Sequence, residues 1–586
     1  MVGRAARAHQ ELISAGTDPV TARGRVVAGV TVAVAGHLGV ELSSLALLSR
    51  WGRPVAVEVA PGDASPGVVG VVHEALLDHA SRRSGGAFYT PPDVAAVIVG
   101  WALEGRPAGC PVVCDPAVGG GAFLLAAAEA LTAAGRSRAE VVGECLVGAD
   151  VDPLAVAVTE AVLALWCRGA AVPRLVVGDA LALDPPNWPA EPDVVVGNPP
   201  FLNQLERATA RRRDDIVALR RRYGTAVGAD ADTAVLFLVM GARLVRPGGV
   251  VALILPESFL ATRDAHGARS AALSDATLEA LWIPSVPVFA SVAVRICVPV
   301  LRRGVVASGR VRLWRGSPPQ LAATIDADAD VLRAAPTWSH LLVAGSGIPD
   351  CELEADGTLG DWCHISADFR AQYYGIAPFL VDDPEGTLDP SAFPPLVTVG
   401  LIDPAECHWG RRRTRHHGHP WEAPRVDRER LMAETDLGPW ARARLVPKVV
   451  VATQTKVVEA AVDVEGAWLP STPLISVVAP PARLWHVAAA LLSPPVTAWA
   501  LRRWAGTALA AGGLKLSAAQ VRAVPSPVPG PQWDTAADAV RQATEAGDEG
   551  ERRRWLLAAA AASSRAYGVD DPAMVRWWAD RLPRRR

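Results

Sequence analysis

Lysine is almost missing from this chain: Lys448, Lys456 and Lys515 stand beside 55 arginines in 586 residues. A fused nuclease of the common kind needs a D-x-[DE]-x-K array, with an acid two residues before its lysine. Val446, Gln454 and Gly513 occupy those positions, so no nuclease of that type is expected. A surplus of one charge is missing too. The formal net charge of −3 gives no global attraction to a polyanion, and any nucleic-acid binding has to come from local basic patches. The eight cysteines are scattered without a C-x-x-C pair, which reads as reduced thiols in a cytoplasmic protein rather than a disulfide framework. Cys407, His408, His416, His417 and His419 fit no zinc spacing, and Arg411, Arg412 and Arg413 between them repel a cation, so no metal is expected. No long uninterrupted apolar run is present either. Residues 26–48 come nearest, but His37 and Glu41 break the run, and a buried helix is expected rather than a membrane span. No signal peptide is expected before it.

Half the residues are hydrophobic, and the chain is too long for one core, so two to four domains are expected. Residues 1–80 read as a helical segment. Over 81–303 short Val-rich runs alternate with helical patterns, the mark of an α/β fold built on a Rossmann-like parallel sheet. Residues 304–345 read as a polar linker, 346–530 as a mixed α/β domain, and 531–586 as a charged helical tail.

Between the first strand and its helix lies Asp115-Pro116-Ala117-Val118-Gly119-Gly120-Gly121. Glycines there let a ligand approach the backbone at the crevice where such sheets bind ligands. An acid opening the loop repels phosphates and suits a cationic cofactor without them, such as S-adenosylmethionine. Asp150 ends the next strand, where a carboxylate can hold ribose hydroxyls, and Asp179 follows the third, where one can accept from an adenine amino group. Either acid can equally be a helix N-cap.

Asn198-Pro199-Pro200-Phe201 follows the apolar run 193–197. An amide carbonyl, a donor-free proline neighbourhood and a stacking ring suit a planar base with an exocyclic amine. Two acceptors drawing on the two amine hydrogens favour a tetrahedral nitrogen with an available lone pair. A Pro-rich turn after a buried strand is the plainer alternative.

The ordered set GAFYTP (86–91), DPAVGGGAFL (115–124), GADVDP (148–153), GDAL (178–181), NPPF (198–201) and LVRPGGVVALILP (244–256) resembles the γ-class N6-adenine DNA methyltransferases. Phe201 stands where Tyr is commoner in that family, and Val118 where Cys often stands. The resemblance implies an S-adenosylmethionine-dependent fold and site-specific methylation of a flipped adenine in duplex DNA, within a restriction-modification or phage-defence system. By position, Tyr89, Thr90 and Pro91 bind the methionine end of the cofactor with Asp115, Ala117, Gly119 and Gly121. Asp150 holds the ribose and Asp179 the adenine. Asn198 and the Pro199 carbonyl grip the target amine, with Pro200 completing the loop and Phe201 stacking on the base.

On the DNA side, residues 201–222 carry seven arginines against three acids, a net +4, with Arg211, Arg212 and Arg213 at their centre. Arg411, Arg412, Arg413 and Arg415 form a second run, and Lys515 lies in a short GGLKLS segment. Solvated faces are the ordinary reading of such runs, and phosphate contact is the reading beside a base-flipping loop. The region 346–530 is then a target-recognition domain, and a separate restriction subunit is a possible partner. Rival activities are methylation of an RNA base or a glutamine side chain, and a DNA-specificity subunit with a decayed active site.

Overall fold

The computed structural model describes residues 1–41, 45–77, 90–105, 110–183, 188–201, 213–228, 232–289, 294–304, 309–504 and 513–583. They form two compact units, Met1–Trp338 and Ser339–Arg586.

The first unit is organised by one sheet. Its strands are β1 (Val113–Asp115), β2 (Leu146–Asp150), β3 (Arg174–Val177), β4 (Val194–Gly197), β5 (Val250–Leu253), β6 (Leu255–Pro256), β7 (Ala276–Ile283), β8 (Ile296–Arg303), β9 (Arg310–Arg315) and β10 (Gln320–Asp326). They run in the order β10-β9-β7-β8-β5-β4-β1-β2-β3, with β6 beside β8. The five strands from β3 to β5 are parallel, with Val113 level with both Leu146 and Val194. Every residue of β4 and β5 is buried, which is why they read as unbroken apolar runs rather than alternating ones. The chain lays β2 and β3 on one side of β1, then returns to place β4 on the other. A crevice opens at such a reversal, beyond the carboxyl ends of the strands.

Two expectations are corrected here. The sheet is mixed, because β8 runs antiparallel to both β5 and β7. It also continues past residue 303: β9 lies parallel to β7 and β10 antiparallel to β9, so 304–345 is no linker. Strand β9 buries Val311 and Leu313 while Arg310 faces out, a period-2 pattern too short to stand out from its polar flanks. Strand β10 is largely exposed, as an edge strand of polar sequence is.

The N-terminal helices share this unit's core. The helix Pro19–Leu38 buries Val26, Val27, Val30 and Val34 against Leu154, Val158 and Val162 of the helix Pro153–Trp166. Most of its apolar residues therefore face protein, and among the described residues no single helix is long and apolar enough to cross a membrane. Cys110 and Cys145 lie side by side, with Cα atoms 5.8 Å apart. They are 35 residues apart in sequence and meet because β2 begins beside the segment leading into β1.

The second unit is built on a four-stranded antiparallel sheet of His364–Ala367, Ile475–Val478, Lys448–Ala452 and Glu459–Asp463. Helices Leu484–Leu491, Pro531–Glu545 and Glu549–Ala566 pack on it, sharing a core of Val449, Ile475, Val487, Val540 and Leu556. The segment 531–586 is thus part of this core, not a tail. Its charged outer faces hide the buried stripe of Trp533, Ala536, Val540 and Ala543.

Candidate active site

Strands β1, β2 and β4 deliver Asp115, Asp150 and Asn198 to one end of the sheet, because each residue ends or directly follows its strand. Asp115 is buried, and its Oδ1 accepts from the Ala117 N–H at 3.0 Å, closing the turn into the glycine loop. Burial pushes its carboxyl up to about 8; the Asp150 and Glu74 carboxylates add to the shift, and the Ala117 bond opposes it. Asp150 accepts from Gly119 N at 3.0 Å and from Asp152 N at 2.9 Å. Burial raises its pKa as well, with those backbone bonds opposing.

The loop is held from three sides. Thr159 donates its hydroxyl to the Gly119 carbonyl at 3.0 Å, and Glu74 accepts from Gly120 N at 3.0 Å. Glu74 belongs to the helix Val68–Ala75, which lies so close that a Cβ on Gly70 would come 2.1 Å from the Gly120 carbonyl oxygen. A side chain at Gly197 would likewise meet Asp115 Oδ1 at 2.6 Å, so the step from β4 into Asn198 has to be glycine.

Asn198 directs its Nδ2 to the hydroxyl of buried Thr90 at 3.2 Å, which fixes the amide plane and assigns Oδ1 as its acceptor. Pro199 is buried and Pro200 half-buried. Phe201 meets Phe289 edge-on, with ring centroids 6.3 Å apart. Asp179 is exposed; its Oδ1 accepts from Leu181 N at 2.9 Å, and Tyr223 donates its hydroxyl to the Leu181 carbonyl at 2.9 Å.

Thr90, Asp115, Ala117, Gly119, Gly121, Asp150 and Asn198 therefore converge through β1, β2, β4 and the loop between them, and Pro91 caps the helix Pro92–Leu103 beside Thr90. Thr90 contacts the Asn198 amide, a link the sequence reading did not contain. Glu74 and Thr159 escaped it as well. Their signal was faint: a carboxylate in an apolar helix, and a buried threonine in another, each facing glycines.

Tyr89, Arg211 and Arg212 lie outside the described residues. Arg213 opens the helix Arg213–Tyr223, and its side chain lies outside them too. The second arginine run is in the other unit. Arg411 pairs with Glu406 at 2.9 Å, Arg412 with Asp403 at 2.7 Å, and Arg413 with Glu422. His408 also binds Asp403, at 2.7 Å, so that stretch of the Cys/His cluster is taken up by carboxylates. Lys515 is exposed and pairs in register with Gln454.

Residues 64–317 match the N-6 DNA methylase family. This segment belongs to that family. The chain is accordingly a DNA methyltransferase of the restriction-modification type. It is 25% identical over 341 residues to the Type II methyltransferase M.TthHB8I of Thermus thermophilus, covering 56% of this chain and 70% of that one. Among solved structures, the DrdV–DNA complex superposes with a TM-score of 0.50 at 11% identity, covering 89% of this chain and 66% of that one. The type IIG restriction endonuclease BpuSI gives 0.44 at 13% identity, covering 98% and 80%.

Proposed function

We propose that this methyltransferase acts on an adenine flipped out of duplex DNA, taking the methyl group from S-adenosylmethionine, and that it serves a restriction-modification or other phage-defence system in the cytoplasm. The observation that carries the reading is the meeting of Asp115, Asp150 and Asn198 across the reversal between β1 and β4. Three carboxylates, Asp115, Asp150 and Glu74, crowd one glycine loop, and burial together with Asp150 and Glu74 raises the Asp115 pKa. A sulfonium and an ammonium group offset the cost of ionising these crowded, buried carboxyls, whereas phosphates would add to it. When bound, the cofactor supplies an electrophilic methyl group.

The chain's own residues then bind and align. Asp150 holds the ribose hydroxyls and Asp179 the cofactor's adenine amine. Asn198 Oδ1, fixed by the Thr90 bond, accepts one hydrogen of the target amine, and the Pro199 carbonyl accepts the other. Phe201, braced by Phe289, offers its face to the flipped base. No strong base is required, because alignment of donor and acceptor supplies most of the acceleration. Lys448 is buried in an ion pair with Asp463, which supports assigning DNA cleavage in such a system to a separate partner subunit.

The test is transfer of a labelled methyl group to duplex DNA, RNA and protein offered in parallel. Label recovered as N6-methyladenine in duplex DNA is expected. Recovery in RNA or glutamine would overturn the DNA assignment, and no transfer at all would indicate a specificity subunit.

A further inference from the structure

Of the four arginines in the second run, Arg415 makes no ion pair among the described residues, and it is exposed. It lies on a β-hairpin, Thr414–His416 paired with His419–Trp421. The register sets His416 opposite His419 and Arg415 opposite Pro420, so Arg415 and Pro420 share one face. Pro420 offers no amide hydrogen, so this ribbon is a poor template for adding another strand.

The two turn residues, His417 and Gly418, have φ of 51° and 80°. Positive φ at both positions is the tight turn that matches hairpin twist, and its usual residues are Asn, Asp and Gly. A histidine there is strained, by about 1 kcal/mol or more. It is held in place by its own N–H, which donates to the Tyr373 hydroxyl at 2.8 Å. Tyr373 stacks on His416 at 4.4 Å, and Tyr374 meets His417 edge-on at 5.4 Å. Only Phe369, Tyr374 and Trp555 stand exposed among the described aromatic residues. Tyr374 belongs to this cluster, and Phe369 precedes Tyr373 by one helical turn.

A strained imidazole at a ribbon tip, an unpaired guanidinium beside it and exposed rings at its base form a surface rich in donors and stacking faces. A two-stranded ribbon fits the major groove of B-DNA, and arginine and histidine donors there meet the N7 and O6 acceptors of purines. We propose that the 414–421 hairpin enters the major groove of duplex DNA and reads purine edges with Arg415 and His417, Tyr373 positioning the tip. The inference rests on the reading of this chain as a DNA-modifying enzyme. Arg411, Arg412 and Arg413 then act as struts that fix the ribbon's base.

The experiment selects bound duplexes from a random pool with the full chain, for wild type, Arg415→Ala and His417→Gly. It also maps methylated adenines in the DNA of a host expressing each. His417→Gly places glycine where φ is positive, so the turn is kept while the ring is lost. Each variant is expected to relax one or two positions of the selected motif. Discrimination against the wrong base should fall about 5- to 150-fold, with cofactor affinity unchanged. A motif as sharp as wild type in both variants would overturn the proposal. So would a uniform loss of affinity for all duplexes with a shallower salt dependence, since that marks phosphate contact only. A wild type that selects no motif would overturn it as well. If wild type selects a motif but methylates no DNA, the proposed activity fails, and the variants' selected motifs still decide the hairpin's role.

Discussion

At the carboxyl end of the parallel strands, Asp115 and Asn198 lie 83 residues apart in sequence and are brought together by adjacent strands. In the second unit, Arg411, Arg412 and Arg413 are contiguous, yet each turns to its own acid. The first group is placed by backbone hydrogen bonding, which β-strand register fixes before any side chain chooses a rotamer. The second is placed by long side chains that settle on the nearest carboxylate. A carboxylate close in sequence satisfies a cation as readily as a phosphate does. Ordered motifs at strand ends therefore predict which residues meet far better than a run of charge predicts what it pairs with.

The comparison breaks most visibly at Asn198. Asn198→Ala should lower methyl transfer by about 10³-fold, with cofactor and DNA binding nearly intact. Single-turnover kinetics retaining more than a few per cent of the wild-type rate would remove Asn198 from the chemistry. Next in size is Asp150→Ala. Losing charge-assisted hydrogen bonds to the ribose should weaken cofactor binding by about 1.5–3 kcal/mol, measured by calorimetry. Because Asp150 also accepts from Gly119 and Asp152, unaltered affinity with a lower melting temperature would make it a structural cap.

Asp115 gives a smaller effect with a defined pH window. Its folded pKa is raised to about 8, so between the ordinary carboxylate range and about pH 8 the folded state keeps a proton that the unfolded state has lost. Stability from this group is full at low pH, declines as pH rises toward 8 and is flat above. Asp115→Asn should therefore raise the cofactor-free melting temperature more at pH 8 than at pH 5. It should also flatten any rise in cofactor affinity across that window. Equal shifts at both pH values would mean Asp115 is ionised throughout.

The smallest effect sharpens the other side of the comparison. Although burial opposes it, hydrogen bonds from Arg412 and His408 hold Asp403 below the usual carboxylate range. Arg412→Ala should cost about 0.5–1 kcal/mol of stability and leave DNA affinity unchanged. If duplex binding fell at every sequence and its salt dependence flattened by about 0.9 log unit, Arg412 would be a phosphate contact after all.

The parallel half of the sheet was legible because β4 and β5 are buried on both faces and their helices follow at regular intervals. The antiparallel half was less so. A strand's direction depends on what it pairs with, and nothing local to 276–303 records that β8 would enter beside β5. The strands at 310–326 were hidden by the polarity that edge position permits. Asp115, Asp150 and Asn198 were readable as residue types at strand ends. Thr90, Glu74 and Thr159 act through one contact each, with partners 108, 46 and 40 residues away. Such contacts have no signature in sequence.

The pairing of Glu74 with Gly120, and the fit of Gly70 against the same residue, bears on how the protein can be divided. One wall of the glycine loop comes from a helix that precedes the first sheet strand by almost forty residues. A fragment beginning at β1 would contain the glycine loop, Asp150 and Asn198 and lack the wall against which the loop is shaped. A portable unit that keeps the loop's wall accordingly starts upstream of Val68, and with the loop holding the cofactor as proposed, exchange of N-terminal segments between relatives would be felt at the cofactor before it was felt at the DNA.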